Sequence, residues 1–115
     1  MENKKEISYP RGGENKATAD LLKGGQACKV IGVGNSMMPI LKSRQPVIVS
    51  PVTDETEIGE KDIVFCKVRG HYYVHLVHKV KKNGEMFLIG NNHGHMNGWT
   101  SRANIFGKVT EILEK

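Results

Sequence analysis

Short runs of apolar and β-branched residues, separated by glycine, proline and asparagine, form most of the chain after residue 27. Runs of this length and composition are typical of β-strands. Apolar residues with helical spacing are scarce, and only residues 17–23 predict a short helix, ended by Gly24 and Gly25. Strands are predicted at residues 28–33, 46–52, 63–68, 71–81, 85–89 and 105–113.

The order of these elements predicts a mainly β fold with little helix. Arg69-Gly70 and Asn83-Gly84 are hairpin signals, so residues 62–89 are expected to form a three-stranded meander. Residues 90–102 lack periodicity and are predicted to be a loop long enough to be functional. We expect a curled or partly barrel-like mixed sheet in residues 28–115, preceded by a flexible N-terminal arm, residues 1–27, that contains the short helix.

The chain has 115 residues and a net charge of +5, which fits one basic domain. Its one dense basic patch is formed by Lys79, Lys81 and Lys82. A solvated face explains such a patch, and with few aromatic residues for base stacking a nucleic-acid partner is not expected. Because no apolar run approaches the length of a membrane span and no signal-peptide pattern follows Met1, we expect a soluble cytoplasmic protein.

The cysteine and histidine spacings do not indicate a metal site. Cys28 and Cys66 each lie in a strand-like run without CxxC spacing, so buried reduced thiols are expected. His71, His75 and His78 have the spacing of a helical metal site, but on a strand they divide between two faces. The prediction is therefore that the protein holds no metal and no other cofactor.

One segment, residues 34–41, has the composition of a tight turn. It places Ser36 between Gly34 and Pro39 and follows the apolar run of residues 29–33. Ser36 could shape a bend or act as a nucleophile. Because a serine hydroxyl is a weak nucleophile at neutral pH, the second role requires a neighbouring base.

Strand alternation sorts the histidines that could supply this base. In the predicted strand 71–81, His78 shares a face with three aliphatic side chains and Tyr72, whereas His75 shares the other face with lysines. His78 is thus predicted to be either a hydrogen-bonded core histidine or a desolvated base with a lowered pKa. His75 is expected to be solvated.

At this point the chain resembles the signal peptidase and LexA-like superfamily of serine peptidases. Residues 34–41 look like the nucleophile box, residues 59–65 like the strand entry, and residues 77–80 (Val-His-Lys-Val) like the box that carries the general base. A histidine in that box resembles the branch found in the endoplasmic reticulum and in archaea. Residues 87–92 and 107–109 are similar to the later boxes, so the resemblance extends over roughly residues 28–112.

The resemblance implies the LexA and signal peptidase type of fold and a role for each matching residue. Ser36 would be the nucleophile and His78 its general base, with the oxyanion held by the backbone amide of Ser36. Asn91 stands where the histidine branch has an aspartate, so it would orient the base without supplying charge. The remaining residues of the nucleophile box that would bind the oxyanion or the substrate are Gly34, Asn35, Met37 and Met38.

The function implied is a serine endopeptidase that cleaves an extended peptide, either in another protein or in its own N-terminal segment, for which residues 24–28 have suitable small side chains. The alternative is a non-catalytic peptide-binding or regulatory module that retains the peptidase fold. The chain shows neither the membrane anchor of signal peptidases nor the DNA-binding domain of LexA-type repressors. We therefore expect neither secretory cleavage at a bilayer nor repression, and the sequence does not predict an oligomeric state.

Overall fold

The protein is described by a computed structural model that covers residues 9–114. Within these residues the regular structure consists of eight strands and one α-helix, together with a 3₁₀ turn at Arg102–Asn104. In chain order these elements are β1 (Arg11–Gly12), α1 (Lys16–Lys23), β2 (Cys28–Ile31), β3 (Pro46–Pro51), β4 (Ile63–Val68), β5 (His71–Lys81), β6 (Met86–Gly90), β7 (Met96–Ser101) and β8 (Ile105–Ile112).

All eight strands belong to one sheet, in the order β1-β2-β3-β8-β4-β5-β6-β7. The sheet is mixed because β1 runs parallel to β2, while every other pair is antiparallel. It curls but does not close into a barrel. The mainly β class and the meander β4-β5-β6 are confirmed. Arg69 and Gly70 both have positive φ, as the two-residue hairpin turn between β4 and β5 requires.

The prediction of a loop at residues 90–102 was wrong for the second half of this segment. Met96–Ser101 forms β7 and pairs with β6, with a register shift that leaves Asn97 without a partner on β6. The segment Met-Asn-Gly-Trp-Thr-Ser has little β-branched character, so its own sequence gives a weak strand signal. Pairing with the buried strand β6 overrides that weak preference and adds an edge strand to the meander.

Apolar side chains pack on both faces of the sheet. One cluster contains Phe65, Val74 and Leu76 and is covered by α1 through Ala19 and Leu22. The other cluster contains side chains of β4, β5, β6 and β8 and one residue of the β3–β4 loop: Ile58, Val64, Cys66, Val68, Val77, Phe87, Ile89 and Ile105. Four consecutive residues of β5, Val74 to Val77, are therefore buried. A strand covered on both faces has no solvated side.

A β-bulge interrupts the pairing of β5 with β6. Val77 pairs with Ile89, and the next pair is Lys79 with Leu88, so His78 is the extra residue. A bulge shifts the alternation of all residues beyond it. Val77 and Val80 consequently pack against the same cluster although they are three positions apart.

The segment before β2 lies against the domain from Tyr9 onward, and residues 1–8 of the predicted arm lie outside the described residues. Asn15 caps α1 by accepting a hydrogen bond from the amide of Thr18. Within residues 9–114, no helix has the length and apolar character that crossing a bilayer would require.

A methyl group at Gly107 tests the close packing of β8. An ideal Cβ there would overlap Val49 Cγ1 and lie 3.2 Å from Leu22 Cδ1, between β3 and α1. We expect Gly107→Ala to lower the free energy of unfolding in urea by about 1–3 kcal/mol. Gly59→Ala is the matched control, since a Cβ at Gly59 meets nothing within 4 Å. Equal stability of the two variants would contradict this packing.

Candidate active site

The turn after β2 presents Ser36 at the surface of the first cluster. Gly34 has a φ of +114°, a backbone conformation that side chains strongly disfavour, and its amide donates a hydrogen bond to Ser43 Oγ at 2.9 Å. Met37 follows Ser36 and is buried in the cluster that α1 covers. The amide of Leu41 closes the turn by donating to the carbonyl of Met37. The turn is thus anchored on both sides of Ser36.

Three carbonyl groups of this turn are bound by residues of the β6–β7 connection. The backbone amide of Asn92 donates to the carbonyl of Ser36 at 2.9 Å, and Asn92 Nδ2 donates to the carbonyl of Met38 at 2.9 Å. His93 Nε2 donates to the carbonyl of Asn35 at 3.0 Å. We call Asn92 and His93 the clamp, because their hydrogen bonds hold consecutive parts of the Ser36 turn.

Asn91 shapes the connection that carries the clamp. Its Oδ1 atom accepts hydrogen bonds from the amides of His93 at 2.8 Å and His95 at 3.0 Å. Its own amide donates to the carbonyl of His95. Since its side-chain oxygen is committed to these backbone amides, Asn91 organises the turn rather than orienting a histidine ring through its side chain.

Ser36 is hydrogen-bonded to a histidine of β5. Ser36 Oγ and His75 Nε2 are 3.2 Å apart, although 39 positions separate the two residues. This distance lies within the reach required between a nucleophile and a general base. The structure therefore pairs Ser36 with His75.

The second ring nitrogen of His75 contacts β7. His75 Nδ1 lies 2.7 Å from Asn97 Oδ1. An amide oxygen can only accept, so Nδ1 carries the ring proton and Nε2 is left to accept the hydrogen bond of the Ser36 hydroxyl. Asn97 thus selects the tautomer that a general base needs.

Burial sets the acidity of His75. The side chain is 7% exposed, and the ring of Tyr73 stacks on it at 4.9 Å between centroids. Desolvation lowers the pKa of His75 below its ordinary value of 6.5, while the hydrogen bond to Asn97 and the charge of Glu14 oppose this effect. His75 is therefore a neutral acceptor at pH 7.

Among the hydrogen bonds of the described residues, none joins His78, the predicted base, to Ser36. His78 Nε2 donates to the backbone carbonyl of Asn91 at 2.8 Å, and His78 lies three residues beyond His75, on the order of 10 Å along the strand. In the structure, His75 has the geometry that was expected of His78. Asn97 makes the contact that was expected of Asn91. His78 supports the connection that carries the clamp. It is hydrogen-bonded, as one alternative for this residue predicted, but it is half-buried and not a core histidine.

The alternation argument failed because it assumed one buried face and an unbroken strand. His75 was expected to be solvated, but both faces of β5 are covered at this point. The available signal was the apolar residues Val74, Leu76 and Val77 around His75, since strands buried on both sides are apolar on both faces. Asn97 had no comparable signal, because its strand was not predicted.

Two of the remaining predicted residues border a cavity of about 340 Å³ that Ser36 and His75 also line. Gly34 and Met37 line it, and Met37 is also part of the core cluster. Asn35 and Met38 are exposed, and the carbonyls of both accept hydrogen bonds from the clamp. The aliphatic lining of the cavity consists of Val30, Val33, Leu41, Val47 and Val74.

Within residues 9–114, no three His, Cys, Asp or Glu side chains are grouped as a metal site would require. Both cysteine side chains are buried and unpaired, and desolvation raises the pKa of Cys66 to about 12. The hydroxyl of Ser36 and the imidazole of His75 are the pair of groups that the arrangement brings into contact.

The lowered pKa of His75 predicts a dependence of stability on pH. The unfolded chain takes up a proton at His75 near pH 6.5, whereas the folded protein does so only at lower pH. The corresponding stability is fully present above pH 6.5 and is lost as pH falls through the folded pKa. We expect urea unfolding at pH 7.5 and 5.5 to show a smaller loss of stability for His75→Gln than for the wild type. An equal loss in both would contradict the burial argument; His71→Ala, an exposed histidine of the same strand, is the control.

Comparisons with known proteins place this site in a family context. No curated protein and no solved structure matches the chain. The model of one family, described as Peptidase S24-like, matches residues 5–110 and so includes the Ser36 turn, β5 and β7. The expected resemblance to LexA-like serine peptidases is confirmed. The chain belongs to the Peptidase S24-like family.

Proposed function

We propose that the protein is a serine endopeptidase in which Ser36 is the nucleophile, His75 the general base and Asn97 the residue that orients the base. The observation that carries this proposal is the chain of contacts from Ser36 Oγ to His75 Nε2 at 3.2 Å and from His75 Nδ1 to Asn97 Oδ1 at 2.7 Å. It has the order nucleophile, base and orienting residue that activates a hydroxyl. Membership of a peptidase family supports the reaction class.

The proposed reaction proceeds in two steps. Ser36 Oγ attacks the carbonyl carbon of the scissile peptide bond while its proton passes to His75 Nε2. The imidazolium then gives this proton to the departing amine, which leaves an ester between the substrate and Ser36. In the second step His75 takes a proton from water, and the resulting hydroxide attacks the ester carbonyl. The imidazolium then returns the proton to the departing Ser36 Oγ, which releases the peptide acid and restores the free enzyme.

The oxyanion would be bound by backbone amides of the nucleophile turn. Among the hydrogen bonds of the described residues, the amides of Ser36 and Met37 have no acceptor. Both amides precede the amide of Met38, which donates to the carbonyl of Asn35 and fixes the turn. Since the clamp holds the neighbouring carbonyls, these two amides are preorganised for a developing negative charge.

The substrate would bind as an extended strand at the open edge of β5. Strand β6 pairs with β5 only from Leu76 onward, so Tyr72 to His75 have no strand beside them on that side in the described residues. A peptide placed there would continue the sheet in line with β6 and bring its scissile bond to Ser36. The aliphatic cavity at this edge would accept an apolar side chain next to that bond.

Labelling with a small fluorophosphonate tests the proposed nucleophile and base. We expect Ser36 to be labelled at pH 8, and His75→Ala to slow labelling by about 100-fold or more, because the hydroxyl then lacks a base. The rate should rise with pH through a midpoint below 6.5, the ordinary value from which the pKa of His75 is lowered. Intact-mass spectrometry with peptide mapping measures the rate and the labelled position.

Two variants serve as controls for this experiment. Ser36→Ala should abolish labelling, and His71→Ala should leave its rate unchanged, since His71 is exposed on the same strand. Absence of labelling on folded wild-type protein, or equal rates for His75→Ala and His71→Ala, would reject the proposal.

Asn97→Asp tests the orienting residue. A carboxylate at this position would stabilise the imidazolium that forms as Ser36 loses its proton. We expect labelling of Asn97→Asp at pH 8 to be about tenfold faster, which corresponds to a stabilisation of the imidazolium by one pKa unit. Asn97→Ala should label more slowly. An Asn97→Asp protein that is no faster at any pH above 7 would show that the contact at Nδ1 does not govern the base.

The second candidate function is a peptide-binding module without catalysis. The observation that favours it is that Asn97 brings no negative charge to His75, in contrast to an aspartate. Such a module would bind a peptide at the edge of β5 and remain unlabelled at Ser36, so the labelling experiment distinguishes the two functions.

A further inference from the structure

The segment that precedes α1 runs beside β2 and reaches the open edge of β5 through Glu14. Strand β1 runs parallel to β2, with Arg11 opposite Lys29 and Gly12 opposite Val30. The amide of Lys29 donates to the carbonyl of Pro10 at 2.9 Å, which extends this pairing toward the N-terminus. The chain therefore enters the site side by side with the strand that leads to Ser36.

Glu14 carries this segment across to β5. Its Oε2 atom accepts a hydrogen bond of 2.8 Å from the backbone amide of Val74. On the opposite side, an ideal Cβ on Gly32 would lie 3.4 Å from Glu14 Oε1, so the carboxylate also borders the end of β2. Glu14 lines the same cavity as Ser36 and His75, and its charge acts on His75.

The amide of Val74 is one that an added strand would use. Val74 is opposite Phe65 in the pairing of β4 with β5, and its N–H points to the other side, where β6 is absent. A peptide joining this edge would offer a main-chain carbonyl to that N–H. The carboxylate of Glu14 already accepts the bond, and a bond to a charged acceptor is stronger than one to a neutral carbonyl.

The position of Glu14 is fixed from both ends. The next residue, Asn15, caps α1, and α1 is anchored in the core through Ala19 and Leu22. On the preceding side Gly12 packs directly against Thr18, because a Cβ at Gly12 would overlap Thr18 Oγ1. Glu14 is thus held at the groove by an ordered frame.

We propose that residues 11–14 are a built-in competitor for the peptide groove. Glu14 takes the place of a substrate carbonyl on Val74, and a peptide must displace this carboxylate before its scissile bond reaches Ser36. This inference rests on the proposed function, because it assigns a regulatory contact to the same site. Removal of the carboxylate should favour peptides, whereas a Glu14 that recognised a basic substrate side chain would show the opposite effect.

Two covalent probes separate this inference from the proposed function. The small fluorophosphonate needs only Ser36 and its base, whereas acetyl-Ala-Val-Ala diphenyl phosphonate must also occupy the edge of β5. We expect Glu14→Ala to raise the ratio of the peptidyl-probe rate to the small-probe rate by about tenfold at pH 8. Glu55→Ala, at an exposed glutamate in the β3–β4 loop, should leave this ratio at the wild-type value.

An unchanged or lower ratio in Glu14→Ala, with normal labelling by the small probe, would contradict the proposal that Glu14 competes with peptides. It would not affect the proposed peptidase function. If neither probe labels the wild type, the proposed function fails instead. Amide hydrogen exchange at Val74 then tests separately whether Glu14 occupies this amide. Exchange at Val74 should be faster in Glu14→Ala than in wild type and Glu14→Gln, which retains an acceptor oxygen. Equal exchange in all three proteins would overturn the proposed competition.

Discussion

The clamp on the Ser36 turn is the constraint on which the site depends. A turn directs its carbonyls outward, and here three of them accept hydrogen bonds from the backbone and side chain of Asn92 and from His93. These bonds join the β2–β3 connection to the β6–β7 connection, which are far apart in sequence and close in space. They set the position of Ser36 relative to β5, where a displacement of about 1 Å would lengthen a 3.2 Å contact beyond hydrogen-bond reach.

His78 and Asn91 contribute to the site through this clamp. His78 binds the carbonyl of Asn91, and the side chain of Asn91 binds the amides that form the turn carrying His93. The bulge at His78 also changes the direction of β5 where β6 begins to pair with it. Residues of two boxes that the family resemblance singled out therefore support the geometry of Ser36. The contact to Ser36 Oγ is made by His75, and Asn97 contacts the other ring nitrogen of His75.

The sequence predicted most of the fold and one half of the Ser36–His75 pair. Strands rich in valine and isoleucine, such as β3 and β4, are predicted by composition, and the turn at Arg69-Gly70 by the need for positive φ. The choice between His75 and His78 depends on a bulge and on burial from both sides, which are tertiary properties. Glu14 and Asn97 could not have been found, because each reaches the site only through strand pairing of weakly predicted segments.

The tautomer of His75 is the most direct test of this account, because the proposed mechanism makes Asn97 responsible for the reactivity of Ser36. Long-range ¹H–¹⁵N correlation of the imidazole nitrogens at pH 8, with exposed His71 as the internal reference, assigns the ring proton. The account predicts that the proton resides on Nδ1 of His75 and that Nε2 is unprotonated. A proton on Nε2 would contradict it, since that nitrogen could then not accept the hydroxyl proton of Ser36.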